Sequence, residues 1–268
     1  KNINIVLSEK QKEAIKAVND NNVCIITGGP GTGKTTIIKF IIELYKNEGK
    51  KVVLCAPTGR AAKRMSEATG EDATTIHRLL SLGKMEETLG LERVDYQIAP
   101  IDSDIIIIDE MSMVDVFLMN YILKGLYIGT KLVLVGDINQ LPSVGPGNVL
   151  KDIINSGEIE VIELNEIFRQ AAQSQIIINA HKVNNGESFL ETPKEELKDK
   201  LQDFFFINEP SMTKMLEDVI SLCSGRLKKY GNYDFFKDIQ VLTPTKRGKL
   251  GTKELNKELQ KVLNQNKK

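Results

Sequence analysis

The 268 residues carry 36 lysines and arginines against 36 aspartates and glutamates, so the chain can bury a proper core in one large or two medium domains but has no global positive field. Any nucleic-acid partner must therefore be held in a local groove. Three cysteines without C-x-x-C spacing and only two histidines give no metal-ligand cluster, no apolar run approaches the roughly 20 residues needed to span a bilayer, and the N-terminus lacks a signal-peptide pattern. Cys24 and Cys55 lie inside apolar strand-like runs, which reads as buried free thiols in a cytoplasmic protein. His77 and His181 read as structural or surface residues.

In chain order, Ser8-Glu9-Lys10-Gln11 opens a helix whose apolar positions include Ala14, Ile15 and Val18. Ser8 and Gln11 have capping-box spacing, and the Gln11 amide also matches the N6 and N7 edge of adenine; the two roles are compatible. Val23 to Thr27 is an apolar strand, followed by Gly28-Gly29-Pro30-Gly31-Thr32-Gly33-Lys34-Thr35 and then, past Thr36, by an apolar helix from Ile37 to Tyr45. That run fills every fixed place of the G-x-x-x-x-G-K-[ST] phosphate loop, in the strand-to-helix context the loop requires. Backbone amides would wrap the phosphates, Lys34 would face the β- and γ-phosphates, Thr35 would offer its hydroxyl to Mg²⁺, and Thr36 is a further nucleotide-binding candidate. A nucleoside triphosphate site is the expectation.

Val52 to Ala56 is the next strand, and Pro57-Thr58-Gly59-Arg60 leads into a helix from Ala61 to Ala68. Thr58 reads either as an N-cap or as part of a clamp on a nucleic-acid backbone, and Arg60, Lys63 and Arg64 read equally well as a solvated face. Between Gly83 and Ile101 the pattern breaks into a polar excursion ending in Ala99-Pro100, read as a small inserted hairpin. Asp104 to Ile108 is a buried strand ending in Asp109-Glu110. Alone, these acids serve equally well to cap a helix starting near Val114; beside the phosphate loop they read as a Mg²⁺ ligand (Asp109) and the base that deprotonates the attacking water (Glu110).

Lys131 to Val135 is a further strand, followed by Gly136-Asp137-Ile138-Asn139-Gln140-Leu141-Pro142. Asp137 is a candidate N-cap, and Gln140 a candidate γ-phosphate sensor. Strands alternating with helices predict a parallel sheet covered on both faces, with ligands at the carboxyl ends of its strands. The expected first domain is 1–165 and the second 166–268. In the second, Arg169 is either an arginine finger to the γ-phosphate or an i, i+3 partner of Glu166. Helices are expected from Gln173 to Val183, Thr213 to Cys223 and Thr252 to Asn264, with strands at Phe204 to Phe206 and Ile239 to Leu242.

The order of these segments resembles superfamily 1 DNA helicases of the RecD-like branch. Gln11, the loop, Ala56-Pro57-Thr58-Gly59-Arg60-Ala61-Ala62, Thr75-Ile76-His77-Arg78, Asp109-Glu110-Met111-Ser112, Gln140-Leu141-Pro142-Ser143-Val144-Gly145 and Phe168-Arg169-Gln170 all fall in the family's sequence. The resemblance implies an α/β fold of RecA-like P-loop NTPase type with a partial second α/β domain. It implies ATP and Mg²⁺ as cofactors, single-stranded DNA or a duplex junction as partner, and 5′ to 3′ helicase activity. It places Thr58, Gly59, Arg60, Thr75, His77, Ser143, Val144, Thr243 and Thr245 near the DNA strand and makes the excursion at 83–101 a duplex-splitting pin. Recombination or repair subunits are further implied partners; a membrane is not. Two motifs that the family carries beyond Gln260 are missing, so the chain reads as a fragment with weak or no activity of its own. The alternatives are an ATP-gated DNA-binding module, and a P-loop kinase or nucleotide switch that never meets DNA.

Overall fold

The four apolar runs read from the sequence are the four central strands of one sheet. In the computed structural model, which describes residues 7–82, 98–166, 173–189 and 202–264, they are β1 (Val23–Gly28), β2 (Val52–Ala56), β4 (Ile105–Ile108) and β5 (Lys131–Gly136). Two edge strands, β3 (Ala73–Thr75) and β6 (Glu160–Leu164), complete the order β3-β2-β4-β5-β1-β6. Every pairing is parallel. The covering helices are α1 (Glu9–Asp20), α2 (Lys34–Asn47), α3 (Gly59–Thr69), α4 (Ile76–Leu79), α5 (Val116–Gly125) and α6 (Val149–Ser156).

Alternation along each strand builds two cores. Cys24, Ile26, Ile105, Ile107, Val133 and Val135 pack with Ile37, Ile38 and Ile41 of α2. Ile25, Ile106, Ile108, Leu132 and Leu134 face the other way and pack with Leu118 and Ile122 of α5. All four isoleucines of β4 are fully buried, each contributing about 1.5–3 kcal/mol by removal from water. Burial also pushes the Cys24 and Cys55 thiols up to about 12, so both behave as small apolar core residues rather than nucleophiles.

Strand ends are set by local chemistry. A Cβ on Gly28 would lie 2.6 Å from the Leu164 carbonyl oxygen, so the loop can leave β1 beside β6 only as glycine. Gly33 caps α2 at φ 86°, the left-handed region that glycine enters freely. Thr58 accepts from the Ala61 amide and starts α3, as the sequence expects. Asp115, and neither Asp109 nor Glu110, caps α5 by accepting from the Leu118 amide. Asp137 caps no helix; it is buried, and its carboxylate accepts from the Asn139 amide in a tight turn.

The chain packs as two compact units, residues 1–204 and 205–268. Helix α7 (Gln175–Asn184) belongs to the first unit, where the Asp203 carboxylate accepts from the Ser174 hydroxyl and the Gln175 amide at its start. The second unit holds α8 (Met212–Ser221), continued by a π-turn into α9 (Leu227–Gly231), then α10 (Phe235–Asp238) and α11 (Thr252–Leu263). Two expected strands do not form: Phe204 to Phe206 and Ile239 to Leu242 are irregular, and Phe205, Phe206 and Leu242 are exposed. A strand needs a neighbour to take its backbone hydrogen bonds, and the described residues of this unit offer none. Most of the excursion, residues 83–97, lies outside the described residues, as does Arg169; no described helix is long and apolar enough to cross a membrane.

Candidate nucleotide and strand-binding site

At the carboxyl ends of β1, β4 and β5 the sheet opens into a cleft of about 650 Å³, lined by Gly29 through Thr35, Asp109, Glu110 and Gln140. The loop residues Gly29 to Thr35, both acids and Gln140, all read from the sequence as site candidates, thus meet in one place. Within the loop the Thr32 hydroxyl donates to the Gly29 carbonyl at 2.8 Å. The Lys34 ammonium donates to the Gly28 and Gly29 carbonyls at 2.5 and 3.0 Å, which holds its charge at the loop's centre. Thr36 follows in the first turn of α2 and does not line the cleft.

Asp109 leaves β4 with its amide donating to the Cys55 carbonyl at 3.0 Å, and its carboxylate accepts from the Glu110 amide at 2.8 Å. Burial raises the Asp109 pKa, against the Glu110 amide, Lys34 and Arg64, which lower it. Burial, then the neighbouring Asp109 charge, raise the Glu110 pKa, again opposed by Lys34 and Arg64. Glu110 sits at φ 57°, ψ 41°, a left-handed conformation that costs a glutamate free energy and clusters at functional sites. Glu110 lines the cleft beside Asp109. Thr35 and Asp109 share this cleft as oxygen donors, and Mg²⁺ suits them because it takes one or two protein oxygens and completes its shell with phosphate and water.

Arg64 is the cleft residue that the sequence left on a solvated face. It does stand exposed on α3, yet it lines the cleft and its charge acts on both acids. The Ala61 to Ala68 helix signal fixed its element; only the sheet order brings that face beside β4. We expect Arg64→Ala to slow ATP turnover roughly two- to fivefold, the scale for an exposed charge, with an unchanged thermal midpoint, checked by steady-state kinetics and melting.

Gln11 is buried but does not line the cleft. The capping box is present: its Oε1 accepts from the Ser8 amide at 3.1 Å and the Ser8 hydroxyl accepts from its amide at 3.4 Å. Its side-chain Nε2 is buried without a hydrogen-bond partner.

A second groove of about 470 Å³ gathers Thr58, His77, Ser143 and Val144, with Pro57, Asp115, Phe117 and Tyr121 beside them. Thr75 caps α4, accepting from the Arg78 amide at 3.2 Å. Each capping threonine accepts one amide hydrogen bond and keeps its hydroxyl proton to donate. Gly59 and Arg60 start α3 but do not line the groove. Phe117 is 59% exposed, and nothing in the spacing of Asp115-Val116-Phe117 announces that it faces the same groove as Thr58. Thr243 and Thr245 line a cleft confined to the second unit, where their hydroxyls donate to the Leu250 and Arg247 carbonyls.

The model of a family described as an AAA domain matches residues 6–201. The ATP-dependent RecD2 DNA helicase of Deinococcus radiodurans is 34% identical over 258 residues, 96% of this chain and 33% of that protein. The RecBCD enzyme subunit RecD of Buchnera aphidicola subsp. Acyrthosiphon pisum is 38% identical over 163 residues, 53% of this chain and 26% of that protein. Among solved structures, the Pif1 helicase of Candida albicans superposes with a TM-score of 0.53 at 23% identity, covering 83% of this chain and 55% of that one, which bears on the fold alone. The chain spans about a third of the length of the curated relatives it matches. By the family model and the order of its motifs, the chain belongs to the AAA-domain family and, within it, to the RecD-like branch of superfamily 1.

Proposed function

We propose that this chain is the ATP-binding part of a DNA motor that couples ATP hydrolysis to 5′ to 3′ movement on single-stranded DNA. The observation that carries the reading is that the phosphate cleft and the groove with Thr58, His77 and Ser143 are both built from the carboxyl-end loops of one parallel sheet. Lys34 and the loop amides hold the triphosphate, and Thr35 with Asp109 holds Mg²⁺, which neutralises phosphate charge. Glu110 takes the proton of the attacking water and Gln140 faces the γ-phosphate, with Arg169, which lies outside the described residues, as the arginine finger that the family resemblance implies. Gln11 offers its unpartnered Nε2 to adenine.

Thr58, Thr75, His77 and Ser143 hold strand phosphates near Gly59, Arg60 and Val144, while the exposed Phe117 ring offers a stacking face to a base. Thr243 and Thr245 are candidate strand contacts of the second unit taken by itself. Base specificity is low in this scheme, since phosphates and ring faces carry little sequence information. The work belongs in the cytoplasm, in a recombination or repair setting.

Turnover measured with and without single-stranded DNA, on this chain and on one extended past Lys268, tests the reading. DNA should raise turnover in both, far more in the extended chain. Turnover indifferent to DNA in both would leave a kinase or nucleotide switch as the better account.

A further inference from the structure

His181 of α7 stacks against the start of the phosphate loop: a Cβ on Gly29 would lie 3.1 Å from its Cε1 and 3.6 Å from its Nε2. That Nε2 is buried and has no hydrogen-bond partner. Buried side-chain nitrogens are nearly always partnered, so an orphan beside a ligand loop calls for a partner that arrives with the ligand. The Gly29 carbonyl is already engaged, accepting from both the Thr32 hydroxyl and the Lys34 ammonium. Beside the ring lies a cavity of about 190 Å³, walled by Gly29, Pro30, Asp137, Asn139 and Gln140. Gly29, Pro30 and Gln140 also line the main cleft, so the cavity adjoins it on the side where Gln140 stands.

We propose that His181 is a γ-phosphate-sensing residue, its Nε2–H donating to a γ-phosphate oxygen when the cleft holds a triphosphate. The inference rests on the nucleotide-site reading given under Proposed function and adds a residue to it. A donor that meets only the third phosphate binds ATP more tightly than ADP and shifts α7 with the state of the nucleotide.

The chain has only two histidines, which makes the test direct. With ¹⁵N-labelled imidazoles, the signals absent from His181→Gln identify the His181 ring. The His181 Nε2 resonance should move on adding a non-hydrolysable Mg-ATP analogue and stay in place with Mg-ADP. In parallel, His181→Leu should weaken the analogue about tenfold and leave ADP affinity unchanged, while His181→Gln, which keeps a donor, should recover most of the loss. A resonance that responds equally to both nucleotides, or variants that weaken both equally, would overturn the proposal and leave His181 as packing. If His181→Leu fails to fold, the resonance measurement on the unaltered chain decides alone. Failure of the unaltered chain to bind either nucleotide would instead bring down the nucleotide-site reading, and this inference with it.

Discussion

Replacing Glu110 by glutamine lowers ATP turnover by roughly 10²–10⁴-fold, the range for loss of a positioned general base, while nucleotide affinity stays within about twofold. The substitution keeps size, shape and the left-handed backbone at φ 57° but removes the carboxylate that can take a proton. Burial and the adjacent Asp109 charge raise the pKa of Glu110, which moves it toward the range in which a carboxylate is an effective base near neutral pH. Asp109 keeps its hydrogen bond to the residue-110 amide in the variant, because a backbone N–H provides it. Single-turnover hydrolysis together with equilibrium binding of a fluorescent ATP analogue separates the two effects. Unchanged turnover would remove Glu110 from the chemistry; lost binding would make it a structural residue.

The second large effect falls on Lys34. Its ammonium bonds the Gly28 and Gly29 carbonyls, so Lys34→Ala removes the one side-chain charge at the loop's centre and leaves the backbone cradle. A hydrogen bond to a charged group is worth about 1.5–3 kcal/mol, and triphosphate affinity should accordingly fall roughly 10- to 100-fold. Turnover should fall further, because the same charge faces the phosphate oxygens as they gain charge in the transition state. Lys34 is only half-buried, so the thermal midpoint should hold. Calorimetric titration with a Mg-ATP analogue checks this, and an affinity equal to the parent's would contradict the role given to the loop.

Much of this arrangement was legible because its signals are local. The phosphate loop needs glycines at fixed spacing, and at Gly28 and Gly33 the structure supplies the reason: a carbonyl too close for a Cβ, and a left-handed helix start. Central strands of a parallel sheet are apolar on both faces, so β1, β2, β4 and β5 stand out as continuous runs. The edge strands did not: β3 has three half-buried residues, and β6 alternates Glu160 and Glu163 with buried Ile162 and Leu164. β3 is too short, and β6 too interrupted by charge, to stand out as an apolar run.

Where the sequence misled, a tertiary partner was missing or unseen. Ile239 to Leu242 has the composition of a strand, yet it has no neighbouring strand among the described residues and stays irregular. Asp137 follows the strand Lys131–Gly136 and reads as a helix cap, but no helix begins there and its carboxylate closes a turn instead. Arg64, Phe117 and His181 carry no motif. Each becomes a site candidate only when the sheet order brings its helix face beside the cleft or the groove.

A single titration bears most directly on the claim that one sheet edge serves both ATP and a DNA strand. The affinity of this chain for a fluorescent single-stranded oligonucleotide is measured without nucleotide, with Mg-ADP and with a non-hydrolysable Mg-ATP analogue. Linkage between neighbouring sites requires the three affinities to differ, by roughly 5- to 150-fold for coupling of ordinary strength, and the analogue's own affinity to shift by the same factor when DNA is present. Three equal affinities, or no oligonucleotide binding in any state, would contradict it.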